Sequence, residues 1–153
     1  MDETSIREYI TRTFAGVDVV DAMGASFFFF DPDHMFPFAT LVTTDEHDQA
    51  SNLSRPSVFR LNIGVSKQTF QSLFRPRSAA SGGSPPSDAG GREDSYDFTA
   101  LDQIMPHPVY GKMYWVCVLN PSAATFQTVE ELLAEAYDMA VRKRAKKNQA
   151  DEA

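Results

Sequence analysis

Residues 57–65, with the sequence SVFRLNIGV, carry the clearest β-strand pattern in the chain. Large apolar side chains alternate along them with polar or small ones, at the period of two that a strand requires. This alternation predicts a strand with one face buried against a core and the other face in water. The apolar positions are Phe59, Leu61, Ile63 and Val65, and the intervening positions are Arg60, Asn62 and Gly64.

The segments before this strand predict a helix and a hairpin. Residues 26–31 and 36–43 flank the tetrapeptide DPDH at residues 31–34, whose residue types favour a tight turn. We therefore expect two antiparallel strands there, after a short extended piece at residues 17–20. An amphipathic helix comes first and ends at Gly16, because apolar side chains recur at helical spacing. Those side chains are Ile6, Tyr9, Ile10 and Phe14.

Two short helical segments are expected after the strand. Ser66 is placed to cap a helix that carries Phe70. Apolar residues between Phe98 and Met105 suggest a further helical turn or two, which Pro106 would end.

The last strand and the last helix are expected near the C-terminus. Residues 113–120 are apolar on both faces, which indicates a strand in the interior of the sheet. Thr128 and Glu131 have the spacing of a capping box, so we expect the final helix to begin there. Its apolar stripe consists of Leu132, Leu133, Ala136, Tyr137, Ala140 and Val141.

Together these elements predict an α+β fold, with an antiparallel sheet of four to five strands packed by the N- and C-terminal helices. Residues 1–145 are expected to form a single domain. Residues 75–95 are rich in Ser, Gly and Pro. Apart from the prolines, they have no apolar side chain larger than Ala, so we predict a flexible inserted loop. Residues 146–153 are expected to form a disordered basic and acidic tail.

Charge and cysteine content limit the partners and the compartment. The chain has 21 acidic and 14 basic residues and a net charge of −7, so nucleic acid is not the expected partner. The basic cluster at residues 142–147 is accounted for by the dipole of a helix C-terminus. The single cysteine, Cys117, fits a reducing compartment, and neither a signal peptide nor a membrane span is recognisable. We predict a soluble, acidic, cytoplasmic protein that is a monomer or a weak dimer.

Three blocks of the sequence resemble a bacterial family known only as a domain of unknown function. They are RPSVFRLNIGV at residues 55–65, HPVY at residues 107–110 and WVCVLNP at residues 115–121. The resemblance spans most of residues 1–145, and it implies the fold of that family without implying an activity.

The layout is also similar, more loosely, to that of the MmcQ/YjbR-like proteins. The similarity rests on Gly16 and Val17 after the first helix, Lys112 and Trp115 at the last strand, and Tyr137 within the last helix. It implies an MmcQ/YjbR-like α+β fold and, as an alternative function, a nucleic-acid-binding module that uses a wing-like sheet surface. The strand after Trp115 is more apolar than is usual in that family.

Metal-binding and catalytic arrangements are incomplete in the sequence. Residues 31–34 and 45–48 both offer carboxylate and imidazole ligands, but a strand of roughly 20 Å would separate them, so we predict no metal and no cofactor. Cys117 with His107 as base and Asp102 as orienting group would form a nucleophilic triad. A cysteine between two valines in a strand is, however, more typical of an inert core residue.

The residues around His107 are the better candidates for a site. His107 lies between two prolines, and a stiff segment that displays its imidazole, Tyr110 and Lys112 would form the lip of a binding site. Trp115 and Asn62 complete the predicted ligand-binding set. The structural alternative is a constrained crossover in which His107 caps a backbone carbonyl.

The sequence therefore predicts a small non-enzymatic binding domain. It would bind a small ligand in a cleft beside Trp115 and His107, or a protein partner. The alternative is the nucleic-acid-binding module described above. A hydrolase or transferase that uses His107, with Tyr110 and Asp102, is a third hypothesis.

Overall fold

The computed structural model of the chain describes residues 2–30, 36–46, 49–74 and 96–152, with side chains as far as Lys143. Three helices and six strands are found in these ranges. The helices are α1 (Glu3–Thr13), α2 (Lys67–Phe74) and α3 (Ala123–Glu152), and Gly111–Met113 form a 3-10 helix. The strands are β1 (Asp18–Ala22), β2 (Ala25–Phe29), β3 (Ala39–Val42), β4 (Arg60–Gly64), β5 (Met105–Pro106) and β6 (Trp115–Leu119).

The strands form one antiparallel sheet in the order β1-β2-β3-β4-β6-β5. The predicted α+β class is confirmed, but the sheet has six strands within the described residues instead of four to five. The hairpin of β2 and β3 is confirmed, while its DPDH turn lies outside the described residues. A second hairpin joins β1 to β2 through Met23 and Gly24, which both have positive φ angles, of 51° and 73°. This backbone is typical of two-residue hairpin turns.

Helices α1 and α3 pack against one face of the sheet and form the helix-side core. Ile6 and Ile10 of α1 and Leu133 of α3 are fully buried there, against Leu61 and Ile63 of β4. This arrangement confirms the apolar face predicted for residues 57–65. Burial of these five side chains removes them from water, which is the main source of stability in such a domain.

Aromatic side chains close one end of the helix-side core. Tyr137 of α3 stacks on Phe14, with ring centroids 4.8 Å apart, and meets Phe30 and Phe38 at 5.5 and 5.8 Å. Its hydroxyl donates to the carbonyl oxygen of Ala15, 2.6 Å away. Tyr137 thereby connects the last helix to the end of α1.

The other face of the sheet is covered by loops, which corrects the prediction that it faces water. Arg60 and Asn62 are only 1% and 3% exposed. Leu53 and Val58 from the loop before β4, with Tyr96 and Phe98 from the segment before β5, pack on this face and contribute to a second, loop-side core. Its buried members are Ala25, Val42, Leu53, Met105, Cys117 and Leu119.

Hydrogen bonds between side chains compensate the burial of polar groups on this face. Arg60 donates from Nε to Asn62 Oδ1 and from Nη1 to Ser51 Oγ, each over 3.0 Å. Asn62 Nδ2 donates to Thr40 Oγ1 over 2.9 Å. Buried polar groups are tolerated when they are paired in this way, and we call these four residues the buried polar row.

Two elements of the second half of the chain differ from the prediction. Residues 98–104 form turns, not a helix, and Met105–Pro106 form the edge strand β5. An edge strand tolerates Pro106 because one side of it needs no N–H donor. Helix α3 begins at Ala123, since Ser122 Oγ accepts a bond of 3.2 Å from Thr125 N, and not at the Thr128 capping box.

Some predictions concern residues whose structure is not described. The inserted loop at residues 75–95 lies outside the described ranges, and of residues 146–152 only the helical backbone is described. The single domain, the flexible loop and the disordered tail therefore stay predictions. Among the described residues, no helix combines the length and the apolar character needed to cross a bilayer.

Candidate functional site

The connection between β5 and β6, residues 107–114, carries three of the five predicted site residues, and Trp115 follows it as the first residue of β6. His107 N donates to Trp115 O over 2.9 Å, and Gly111 N donates to His107 O over 3.0 Å. Trp115 N donates to Tyr110 O over 3.3 Å. Because these bonds tie both ends of the connection, it forms a tight turn that holds His107, Tyr110, Lys112 and Trp115 on one short segment.

The imidazole of His107 organises this turn from the inside. The residue is only 5% exposed, and its Nδ1 accepts hydrogen bonds of 3.0 Å from both Val109 N and Tyr110 N. At Nδ1 the ring therefore caps two backbone amides, a role that the sequence did not indicate. The Tyr110 ring lies beside it, with centroids 5.0 Å apart.

Apolar side chains point outward from the same turn. Val109 and Tyr110 are each 52% exposed, and Met113 is 67% exposed. Lys112, between them in sequence, is also exposed. We call Val109, Tyr110, Lys112 and Met113 the turn surface.

Trp115 and Asn62 lie on the loop-covered face of the sheet, in different surroundings. Trp115 is half-buried against Gly64, its partner across β4 and β6. Asn62 is opposite Cys117, two positions farther along β6, and belongs to the buried polar row. Asn62 thus shares a face of the sheet with Trp115 but lies outside the connection that holds His107, Tyr110 and Lys112.

The groups of the considered triad have other roles in the fold. Cys117 is fully buried, with its Sγ 3.7 Å from the carbonyl oxygen of Pro106. Asp102 Oδ1 accepts a hydrogen bond of 2.7 Å from Ser122 N at the start of α3, and this bond lowers the pKa of the carboxyl group below its ordinary value. The amides of Val109 and Tyr110 occupy Nδ1 of His107, the nitrogen to which an orienting carboxylate would bind in a triad.

The described acidic residues do not assemble into a metal site. Asp45 accepts a bond of 2.7 Å from Leu53 N, and no group of three His, Cys, Asp or Glu with metal-binding geometry occurs within the described ranges. Residues 31–34, 47 and 48, which the sequence analysis considered as ligands, are outside those ranges.

A polar cleft that the sequence analysis did not anticipate lies beside the start of α1. It has a volume of about 710 Å³ and lies between the end of β3 and the loop at residues 49–59. Glu3, Asp45, Glu46 and Arg55 are among its lining residues. The Arg55 guanidinium donates to the carbonyl oxygens of Asn52, Ser51 and Thr99. Only the paired acids at residues 2–3 and 45–46 could have indicated this cleft in the sequence.

Comparison with known proteins assigns a family without an activity. No curated protein and no solved structure was found to match the chain. The looser similarity to the MmcQ/YjbR-like proteins therefore stays a prediction. The model of one family matches residues 1–149, nearly the whole chain, and confirms the resemblance carried by the three sequence blocks. The chain accordingly belongs to DUF6194, a family of unknown function.

Proposed function

We propose that this domain is a non-enzymatic binding module that recognises a protein partner through the turn surface. The observation that carries the proposal is the exposure of Val109, Tyr110 and Met113, each by half or more, on one hydrogen-bonded turn. Clustered exposed apolar side chains mark interaction sites, and Tyr and Met are enriched at interfaces. A turn that is already ordered also loses little conformational entropy when it binds.

The environment of the titratable groups favours binding over catalysis. His107 is buried and uses Nδ1 for two amides of the turn. Asp102 is engaged at the start of α3, and Cys117 is enclosed in the loop-side core. A hydrolase or transferase would need these groups to face a substrate, so this third hypothesis has less support.

Shape and charge favour a protein partner over a small ligand or nucleic acid. The cleft of about 710 Å³ beside α1 has neither His107 nor Trp115 among its lining residues, and the side chains of the turn surface are exposed. Two of its four side chains, Val109 and Met113, offer nothing to a phosphate group. The net charge of −7 would also repel a long polyanion such as nucleic acid more strongly than a short peptide segment.

Selection from a phage-displayed library of random dodecapeptides tests this proposal. We expect clones that bind the parent protein at least about tenfold more tightly than the double variant Tyr110→Ser/Met113→Ser. Both residues are exposed, so this variant should keep the parent unfolding midpoint. Leu101→Ser is the matched control, because Leu101 is also an exposed apolar residue, at 47%. It lies away from the turn surface, since the N–H of the next residue, Asp102, donates to Leu119 O at the opposite end of β6. If no clone binds, or if the clones bind parent and double variant equally, the proposal is wrong.

A further inference from the structure

Two segments beside the turn surface carry no acidic residues of their own. Residues 57–74 and 105–120 contain no Asp or Glu, although the chain has 21 of them. The same two segments contain Arg60, Lys67 and Lys112. Arg60 is buried, so the charge that these segments expose comes from Lys67 and Lys112. The turn surface therefore belongs to a basic region of an acidic protein.

A contact between the residues just before α2 and just before β6 brings the backbones of the two lysines near each other. Val65 N donates to Tyr114 O over 3.0 Å, and Lys67 and Lys112 each lie two residues from this bond. Two residues span at most about 7 Å, so both Cα atoms lie close to it. The rings of Phe70 and Tyr114, with centroids 5.6 Å apart, join α2 to the turn.

A carboxylate of α3 that approaches this region, that of Glu135, already accepts hydrogen bonds from the start of α2. Glu135 of α3 accepts hydrogen bonds from Ser66 N and from Thr69 Oγ1, over 3.0 and 2.5 Å. It thereby holds the first turn of α2 against α3. Among the described contacts, neither lysine takes part in a salt bridge.

We infer that the partner segment is an acidic peptide with interspersed apolar side chains, which seats on the turn surface and reaches the neighbouring Lys67. The inference rests on the proposed function and adds the chemistry of the partner. Carboxylates of the segment would meet the two lysines, and its apolar side chains would cover Tyr110 and Met113. The negative charge elsewhere on the protein would direct such a segment to this region by repulsion.

Fluorescence anisotropy with three labelled dodecapeptides tests the inference on the full chain. The first peptide repeats Glu-Glu-Leu-Tyr, the second has Gln in place of Glu, and the third has Ser in place of Leu and Tyr. We expect the first peptide to bind at least about tenfold more tightly than either of the others at about 50 mM salt, and to weaken at about 300 mM. Lys67→Gln and Lys112→Gln should each weaken its binding several-fold. Arg12→Gln, which removes an exposed cation of α1, should leave its binding unchanged.

The outcomes separate this inference from the proposed function. If the Gln peptide binds as tightly as the Glu peptide, or if the Glu peptide does not bind, the inference that the partner is acidic is wrong. Clones from the dodecapeptide library that need Tyr110 and Met113 would still support the turn surface. If a labelled thymidine dodecanucleotide binds more tightly than the Glu peptide and needs both lysines, nucleic acid replaces the peptide as the partner.

Discussion

Trp115 packs its indole ring directly against Gly64, the residue opposite it across β4 and β6. A Cβ added at residue 64 would lie 2.9 Å from Cε2 of the ring, closer than real side chains approach. Both strands lie inside the sheet, so their backbones cannot separate to relieve the contact. The absence of a side chain at residue 64 thus sets the position of the indole.

We expect Gly64→Ala to destabilise the fold by about 1–3 kcal/mol, because the indole must leave its position. Chemical denaturation followed by the fluorescence of Trp115, the only tryptophan, measures stability and ring environment together. Gly111→Ala is the matched control, since its Cβ would lie 3.5 Å from Pro106 Cβ, an ordinary contact. Equal free energies of unfolding for the two variants would contradict the packing described here.

His107→Ala should cost about 1–3 kcal/mol, because it leaves the amides of Val109 and Tyr110 without their acceptor. His107→Asn should recover part of this loss, because Oδ1 of Asn can occupy the position of Nδ1. Thermal unfolding gives the stabilities, and hydrogen exchange at the two amides reports the turn itself. Unchanged exchange in the Ala variant would show that the imidazole does not order the turn.

Stability should fall slightly in strong acid because of Asp21. Two hydrogen bonds from Arg7 and one from the Ser26 hydroxyl lower the pKa of its carboxyl group from 3.8 to about 2. A lowered pKa in the folded state stabilises the fold above pH 3.8, and the stabilisation is lost as the pH falls through about 2. Both side chains are largely exposed, so we expect less than about 1 kcal/mol.

The pKa of Asp21 can be measured by NMR, from the chemical shift of its carboxyl carbon as a function of pH. Arg7→Gln should raise the pKa of Asp21 toward its ordinary value, with the Ser26 hydroxyl retaining part of the shift. A titration that does not change in this variant would rule out Arg7 as the main cause.

Arg60→Lys should destabilise the fold by about 2–4 kcal/mol, although it keeps the charge. The guanidinium reaches Asn62 and Ser51 from two different nitrogens, and a single ammonium group cannot reproduce that geometry. Thr40→Val is the comparison, since it removes only the acceptor for Asn62 Nδ2, and we expect a smaller loss, of about 1–2 kcal/mol. Denaturant titration ranks the two variants, and a larger loss for Thr40→Val would reverse the roles assigned here.

Local sequence patterns predicted the elements better than they predicted what covers them. The alternation at residues 57–65 correctly indicates a strand, but it cannot show that the loops of Leu53 and Phe98 lie over its polar face. Arg60 is buried because Ser51 of the loop before β4 and Asn62 of its own strand accept its hydrogen bonds. In the sequence Pro106 resembles a helix stop, because a two-residue edge strand has no periodicity to recognise.

In the candidate site, too, the sequence predicts which neighbouring residues come together but not how distant segments surround them. His107, Tyr110, Lys112 and Trp115 are neighbours in sequence, so a short turn suffices to bring them together. Asn62 was assigned to the same site, yet its orientation depends on Thr40, 22 residues earlier in the chain, which no local pattern reveals. The exposure of the turn surface likewise depends on how the hydrogen bonds of residues 107–115 fold the segment.

The strand order has a consequence for the folding kinetics of the chain. Strands β1, β2 and β3 pair with their immediate neighbours between residues 18 and 42, so this part can form through short loop closures. The pairing of Arg60 with Leu119 closes a loop that contains residues 75–95. Its entropic cost grows only with the logarithm of loop length. Shortening residues 75–95 should therefore speed folding modestly and leave the unfolding rate nearly unchanged, provided that β4 and β6 are already paired in the transition state.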